Sequence, residues 1–265
     1  MIVRKGSERR TYLYYVLAGV SLYLFFLIAT APASLMEWLL PSLFNAQLVL
    51  EQSEGGFWHG KAKDVILKKN DGSLRSLGSA DWEILILPMF KLELAAKIKL
   101  DNGQTASQGI IAKGIGKFQM RQMNATLPIE VLAEFMPAWQ TWKPRGDLIL
   151  KTKDFSIGKQ KVVGEAEIEW RNASVSLSRI NPLGNYFLNI LGDKNVSKIR
   201  LSTLSGVLRL AGQGEWSSER GVGFKGTAQA ESSRKAELQD LLKLIGREHG
   251  DGVYQIEITQ LQKTK

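Results

Sequence analysis

His59 and His249 are the only imidazoles in the chain, and imidazole is the side chain best matched to proton transfer near neutral pH. His59 follows Trp58 in a stretch of strand character, and His249 lies in a glycine-rich turn. Neither is accompanied in sequence by the nucleophile that such a base would activate. Ser232 and Lys235 match an S-x-x-K spacing, but its companion motifs are missing and polar residues ahead of a helix explain the pair. Glu165, Glu167 and Glu169 alternate, so a strand would present all three from one face. Three such carboxylates could hold a cation, although a solvated face is the commoner reason for such a row. The G-x-G-x-x-G, P-loop, H-E-x-x-H and G-x-S-x-G patterns are all missing. Cysteine is absent, which removes disulfides, thiolate metal sites and redox dithiols. The chain therefore reads as non-catalytic, with no cofactor and no metal.

The elements that would position these residues begin with an anchor. Residues 11–36, TYLYYVLAGVSLYLFFLIATAPASLM, contain no charged side chain. A spanning helix needs about 20 mostly apolar residues, because charge at mid-bilayer is costly. Tyr12 to Ala31 supplies 20, and at about 1.5 Å rise each they cover roughly 30 Å, one hydrocarbon thickness. Leu17, Leu22, Phe25, Phe26 and Leu27 form its apolar body. Tyr12, Tyr14 and Tyr15 suit the inner aromatic belt and Trp38 the outer one. Arg4, Lys5, Arg9 and Arg10 precede the run, offset only by Glu8, so the positive-inside rule puts the N-terminus in the cytoplasm. Pro32 ends the helix. A cleaved secretory signal is the competing reading, because Ala31-Pro32-Ala33 has small residues in an A-x-A arrangement. Its apolar region is typically only about 7–15 residues, shorter than this run. Either way the bulk of the chain is exported.

The chain has 265 residues and a formal net charge of +9. About 220 residues follow the anchor, enough for one large domain or two small ones with a core of their own. Four of the 35 Lys+Arg and one of the 26 Asp+Glu precede residue 11, so the remainder carries a net +6. A modest positive balance could favour anionic headgroups or an acidic partner, but a plain soluble domain is the simpler reading. The basic residues are scattered, which argues against nucleic acid.

Past Leu48 the pattern has period two. Leu92, Leu94, Ala96, Ile98 and Leu100 alternate with Lys91, Glu93, Ala95, Lys97 and Lys99, as in a half-buried strand. Trp82, Ile84 and Ile86 alternate ahead of Pro88. Ile110, Ala112, Gly114, Gly116, Phe118 and Met120 share one parity, as do Leu208, Leu210, Gly212, Gly214 and Trp216. Phe224, Gly226, Ala228 and Ala230 form another set, and Tyr254, Ile256 and Ile258 the last. Asn70-Asp71-Gly72, Asp101-Asn102-Gly103, Ser218-Glu219-Arg220-Gly221 and Gly250-Asp251-Gly252 are turn signals between them. About ten strands with hairpin-length gaps predict an antiparallel meander. Two helices are expected, over 127–136 with Pro128 in its first turn and over 234–245 with Leu238, Leu241, Leu242 and Ile245 on one side. Two segments change phase part-way: Trp58, Gly60 and Ala62 against Val65 and Leu67, and Ile168 and Trp170 against Ala173, Val175 and Leu177. Such a switch needs a bulge or bend, at Asp64 and Asn172. The likeness of these segments suggests two similar curved halves, about 48–125 and 147–265.

The fold expected is mainly β: a transmembrane helix, then a curved antiparallel sheet with two or three short helices. The divisions are a basic tail 1–10, an anchor 11–36, a linker 37–47 and a β domain 48–265. The apolar face of an open sheet must be covered by the chain's own helices, by a partner or by lipid. Trp58, Trp82, Leu92, Leu94, Ile98, Trp170 and Phe224 are candidates for an apolar groove or interface.

The order of features resembles that of type II secretion system protein N (general secretion pathway protein N). Thr30-Ala31-Pro32-Ala33-Ser34 with Trp38-Leu39-Leu40-Pro41 follows the anchor, and Gly56-Phe57-Trp58-His59-Gly60-Lys61-Ala62 comes before the Trp82 strand. Glu169-Trp170-Arg171-Asn172-Ala173 with Pro182-Leu183-Gly184 fits the second half. Leu244-Ile245-Gly246-Arg247 and Gly252-Val253-Tyr254 fit the C-terminus. The resemblance covers essentially the whole chain. It implies an accessory inner-membrane component of the machine that exports folded proteins, in a Gram-negative bacterium, with other components of that system as partners and no catalytic residues. The family also looks similar to periplasmic lipid-handling proteins with a grooved sheet, which makes a lipid-binding or lipid-transfer protein the alternative.

Overall fold

The computed structural model describes residues 6–43, 47–136, 139, 141–158, 161–193 and 196–260. Arg4 and Lys5 lie outside them. Helix α1 (Gly6–Ala29) is followed by α2 (Ser34–Leu43), which occupies most of the expected linker. Fifteen strands follow among the described residues: β1 (Leu48–Gly55), β2 (His59–Lys68), β3 (Leu74–Ser76), β4 (Ser79–Leu85), β5 (Leu94–Asp101), β6 (Ala106–Gly114), β7 (Lys117–Pro128), β8 (Arg145–Gly158), β9 (Val162–Ser174), β10 (Gly184–Asp193), β11 (Val196–Gly206), β12 (Leu208–Ser217), β13 (Gly221–Ala230), β14 (Arg247–Glu248) and β15 (Val253–Gln260). Short helices α3 (Ile86–Met89), α4 (Glu130–Phe135) and α5 (Lys235–Ile245) interrupt them.

All strands belong to one antiparallel sheet, in which each pairs with its neighbour in sequence from β4 to β13. Strand β3 pairs β2 alongside β4, and β14 closes the far edge on β15. The sheet runs from edge β1 to edge β14 without closing. A meander of this kind needs only short loops, which is why period-two runs separated by turn residues lead to it. The alternation also gives the strand ends two distinct groups of connections. One end carries the β1–β2, β4–β5, β6–β7, β8–β9, β10–β11 and β12–β13 turns and is called the anchor end below. The other end carries α4, α5 and the longer loops.

Several expectations are corrected. The helix expected over 127–136 is shortened, because Leu127 and Pro128 pair with Leu148 and Asp147 at the end of β7. Ile86 leaves the Trp82 strand for α3, and Leu92 sits in a turn with φ of 57° rather than in β5. Ile110 and Ala112 do not share a face with Phe118 and Met120. A two-residue turn at Ile115–Gly116 pairs Gly114 with Lys117 and Ile111 with Met120, so side-chain parity reverses across it. Gly116, at φ 67°, supplies the left-handed conformation that such a turn needs.

The two phase switches fall as expected. In β2, Ala62 is buried, and then Val65 and Leu67 are. Opposite the switch, Gly78 (φ 96°) breaks β3 from β4, and Asp64 Oδ1 accepts from Ser76 Oγ (2.7 Å) and Gly78 N (3.2 Å). Asn172 has φ 51° and lies where the pairing of β9 slips against both neighbours. The extra residue in β9 bends the sheet locally, whereas β2 keeps one register through Asp64.

One face is apolar along its whole width. Cross-strand partners carry it as Trp82–Ile98, Ile111–Met120–Phe155, Leu150–Ile168–Leu188–Leu201 and Ala228–Tyr254. Two clusters bury parts of it. In the first, Ala33 with Met36 and Leu40 of α2, and Val131 of α4, pack on Leu50, Ala62, Val65, Leu67, Ala80, Trp82 and Ile84. In the second, Leu238, Leu241 and Leu242 of α5 pack on Tyr186, Leu208, Ala228 and Tyr254. The α5 helix follows its expected spacing and ends before Gly246.

Helix α2 is tied to β1 by Glu37, whose Oε1 accepts from Ser53 N (3.0 Å) and from Ser53 Oγ. Those two hydrogen bonds hold its carboxyl below the usual glutamate range. A depressed carboxyl contributes stability above its unfolded value, and loses it as pH falls through the folded one. Thermal unfolding of the full chain in detergent should therefore weaken below about pH 4.3, the ordinary glutamate value. Glu37→Gln should remove that part of the acid dependence. An unchanged acid limb in the variant would show that Glu37 is not its source.

Candidate functional site: the apolar face and the anchor end

The chemistry-bearing residues are not brought together. His59 begins β2 at the anchor end, whereas His249 follows β14 at the opposite end, and both are exposed. Ser232 lies in a 3-10 turn and Lys235 starts α5. Glu165 accepts from Asn189 Nδ2 (2.8 Å), and Glu169 takes two hydrogen bonds from Arg171 (2.9 and 3.0 Å). Two of the three carboxylates in the row therefore have organic partners. No group of three or more His, Asp or Glu suited to a metal ion occurs among the described residues.

The apolar candidates fall in four places. Trp82 belongs to the first cluster, 8 % exposed with its indole N–H donating to Phe57 O (3.0 Å), and Ile98 is its half-buried cross-strand partner beside that cluster. Trp170 packs against the second cluster, 6.0 Å from Tyr186 at an interplanar angle of 51°, and donates to Arg145 O (3.1 Å). Burial raises the Tyr186 phenol well above the usual tyrosine range, and its hydroxyl donates to Leu208 O (3.0 Å). Phe224 lies over Gly212, Gly214 and Gly226, where an added Cβ would meet its ring at 2.4, 2.9 and 3.1 Å. Those glycines let one aromatic ring lie flat on the sheet. Trp58, Leu92 and Leu94 are at the anchor end. On the anchor-end side of the second cluster Leu150, Ile168, Leu188, Leu201 and Phe224 remain half-buried, an apolar strip that the chain's helices do not fully cover.

The anchor end joins α1 to the sheet. Phe57 N donates to Ala31 O (2.8 Å), Ala33 N to Gly55 O (3.2 Å), and the Trp58 indole to Ile28 O (2.8 Å). Pro32 bridges Gly56. Ile84 N then donates to Trp58 O (2.6 Å), which links this turn to β4. Among the described residues the span Thr11–Ala29 is 0 % buried, and it is long and apolar enough to cross a membrane. Tyr12, Tyr15, Leu17, Leu22, Phe25, Phe26 and Leu27 are all exposed on it.

Sequence reasoning missed the other apolar residues of this end. Ile86, Leu87 and Phe90 of the β4–β5 connection, beside the candidate Leu92, and Ile115 of the β6–β7 turn are all well exposed. An available signal was the uncharged run Ile84 to Phe90, split by Pro88 and followed by Lys91. On the opposite, polar face, a cleft of about 1330 Å³ opens near the β10–β11 and β12–β13 turns. Lys161, Lys198, Arg200, Arg220 and Lys225 outnumber Glu215 and Glu219 in its lining. Such a lining attracts anions in general.

Among known proteins, the model of the family described as type II secretion system (T2SS), protein N, matches residues 46–257. The chain belongs to that family. Its fold, a mainly β chain with one unclosed antiparallel sheet, accords with the expectation from the sequence. Membership makes it a component of the type II secretion system, in a family of secretion accessory components not known as enzymes. The matched range takes in the whole sheet except the last residues of β15, and begins after α1 and α2. No curated protein and no solved structure matches the chain.

Proposed function

We propose that this member of the type II secretion system protein N family is a non-catalytic, single-pass inner-membrane scaffold for export of folded proteins across the outer membrane. In this reading the basic N-terminus is cytoplasmic, α1 spans the bilayer and the β domain is periplasmic. The observation that carries it is α1: an uncovered apolar helix whose last turn is hydrogen-bonded to the β1–β2 turn of the sheet that the family match spans. A helix so apolar and so uncovered is stable only in lipid. The domain would engage other secretion components through its edge strand β1 or its half-covered apolar strip. The division into similar halves, 48–125 and 147–265, belongs to the same reading, with the changes of phase at Asp64 and Asn172 as its support.

The half-buried strip favours a second reading, a lipid-binding or lipid-transfer module, because acyl chains could complete the cover of that strip. Photo-crosslinking in cells, with the probe at Ile98 or Phe224 and mass spectrometry of the adducts, separates the two. Adducts to secretion proteins are the expected result. Adducts to phospholipid or lipopolysaccharide alone would overturn the scaffold reading in favour of the lipid module.

A further inference from the structure

We propose that the β4–β5 connection, with the β6–β7 turn beside it, dips into the surface of the same bilayer that α1 crosses. This rests on the membrane placement proposed above and adds a second point of contact. Leu87, Phe90 and Ile115 are 81, 82 and 84 % exposed, more than any large apolar residue of α1. Single exposed apolar residues are ordinary on a soluble surface, but a contiguous set marks an interaction site. Here Ile86, Leu87, Phe90 and Leu92 occupy one short connection, and Ile115 is on the next turn.

The two turns are built as one rigid unit. Within the first, Lys91 N and Glu93 N donate to Pro88 O (2.9 and 3.1 Å) and Leu92 N to Met89 O (2.9 Å). Leu92 is held at φ 57°, a conformation uncommon for a bulky side chain, and such strain gathers at functional positions. Between the turns, Leu94 pairs with Lys113, and the Glu93 side chain lies 3.2 Å from where a Cβ on Gly114 would be. Arg121 Nη2 reaches Glu93 Oε2 at 3.3 Å.

Charge and position both select a bilayer over a protein partner. Lys91, Lys113 and Lys117 surround the apolar tip, and Glu93, the one acid in these two turns, is committed to Arg121. Apolar side chains tipped by lysines match an interface with anionic headgroups over acyl chains. The tip also lies at the end where α1 leaves the sheet. The β1–β2 turn that binds Ala31 and Ile28 leads into β2, which pairs with β4, which runs into the tip.

The chain has no cysteine, so single-cysteine variants of the full-length protein report cleanly. Phe90→Cys, Ile115→Cys, Leu22→Cys in α1 and Leu74→Cys at the opposite end would each carry an environment-sensitive fluorophore. They would be reconstituted in vesicles of phosphatidylethanolamine and phosphatidylglycerol, with and without a nitroxide on the acyl chain. The labels at 90 and 115 should shift to the blue and lose most of their intensity to the nitroxide, as at 22, while 74 stays water-like. Quenching at 22 with 90 and 115 as wet as 74 would overturn this contact alone. Labels at 90 and 115 that are wet in vesicles yet shielded in native membranes would overturn it in favour of a protein contact. Absence of quenching at 22 would overturn the membrane placement itself.

Discussion

Replacing Trp82 by alanine should lower the stability of the β domain by about 3–5 kcal/mol, the usual cost of deleting a buried tryptophan. The ring is 8 % exposed and lies in the cluster formed with α2, α4 and β2. It sits against Gly60, where a Cβ would come within 2.6 Å of it, so ring and glycine fit as a pair. Its indole N–H donates to Phe57 O (3.0 Å), and Phe57 N in turn donates to Ala31 O (2.8 Å) at the end of the anchor. The substitution therefore opens a cavity and also leaves a carbonyl of the anchor-binding turn without its donor. Against a typical total of about 5–15 kcal/mol, such a loss would unfold a sizeable fraction of the protein. Trp82→Phe keeps most of the volume and should cost less, with about 1 kcal/mol of its cost from the hydrogen bond. Urea unfolding of the full chain in detergent, followed by its midpoint at constant slope, measures both. A loss under about 1 kcal/mol for Trp82→Ala would mean that the ring is not packed as described.

What was legible in the sequence was local. Helix α1 follows from an uncharged run, and α5 from the spacing of Leu238, Leu241 and Leu242 ahead of Gly246. Strands β12, β13 and β15 follow from strict alternation, because their side chains meet one apolar face throughout. The β6–β7 turn was hidden because Ile115-Gly116 lacks the usual Asn-Gly or Asp-Gly signal. A two-residue loop pairs even positions with odd ones, so Ile110 to Met120 looked like one continuous face. Pro128 read as a helix start, yet it ends β7, a strand terminus where its missing N–H costs little. Leu92 kept the parity of its strand while its backbone took a conformation that sequence alone assigns to glycine or asparagine. The candidate site was less legible still. Alternation shows that Trp82, Trp170 and Phe224 face inward on their own strands, but which of them meet depends on pairing across the sheet and on where α2 and α5 lie. The exposed tip from Ile86 to Leu92 lost its meaning when read as strand, since alternation predicts half-burial where the chain instead turns.

Leu238→Ala should cost about 2–5 kcal/mol, and its effect should be confined to one side of the sheet. Leu238 is 0 % exposed, the centre of a helix that also buries Leu241 and Leu242 against Tyr186, Leu208, Ala228 and Tyr254. Strands β12 and β13 carry glycine or alanine at many inward positions, so little of their own side-chain volume fills that cluster and α5 supplies it. Helix propensity cannot cause the loss, because alanine is the better helix former. Leu244→Ala in the same helix is the control: Leu244 is 62 % exposed, and the change should stay within about 0.5 kcal/mol. Equal losses for the two variants would show that α5 does not face the sheet as described. The two clusters share no buried residue, so weakening one should leave the other's opening free energy largely in place. Hydrogen exchange on Leu238→Ala should therefore speed in β12, β13 and β15 while β2 and β4 keep their protection. Uniform acceleration across all of them would mean instead that the meander opens as a single cooperative unit, with α5 holding the whole sheet rather than its last strands.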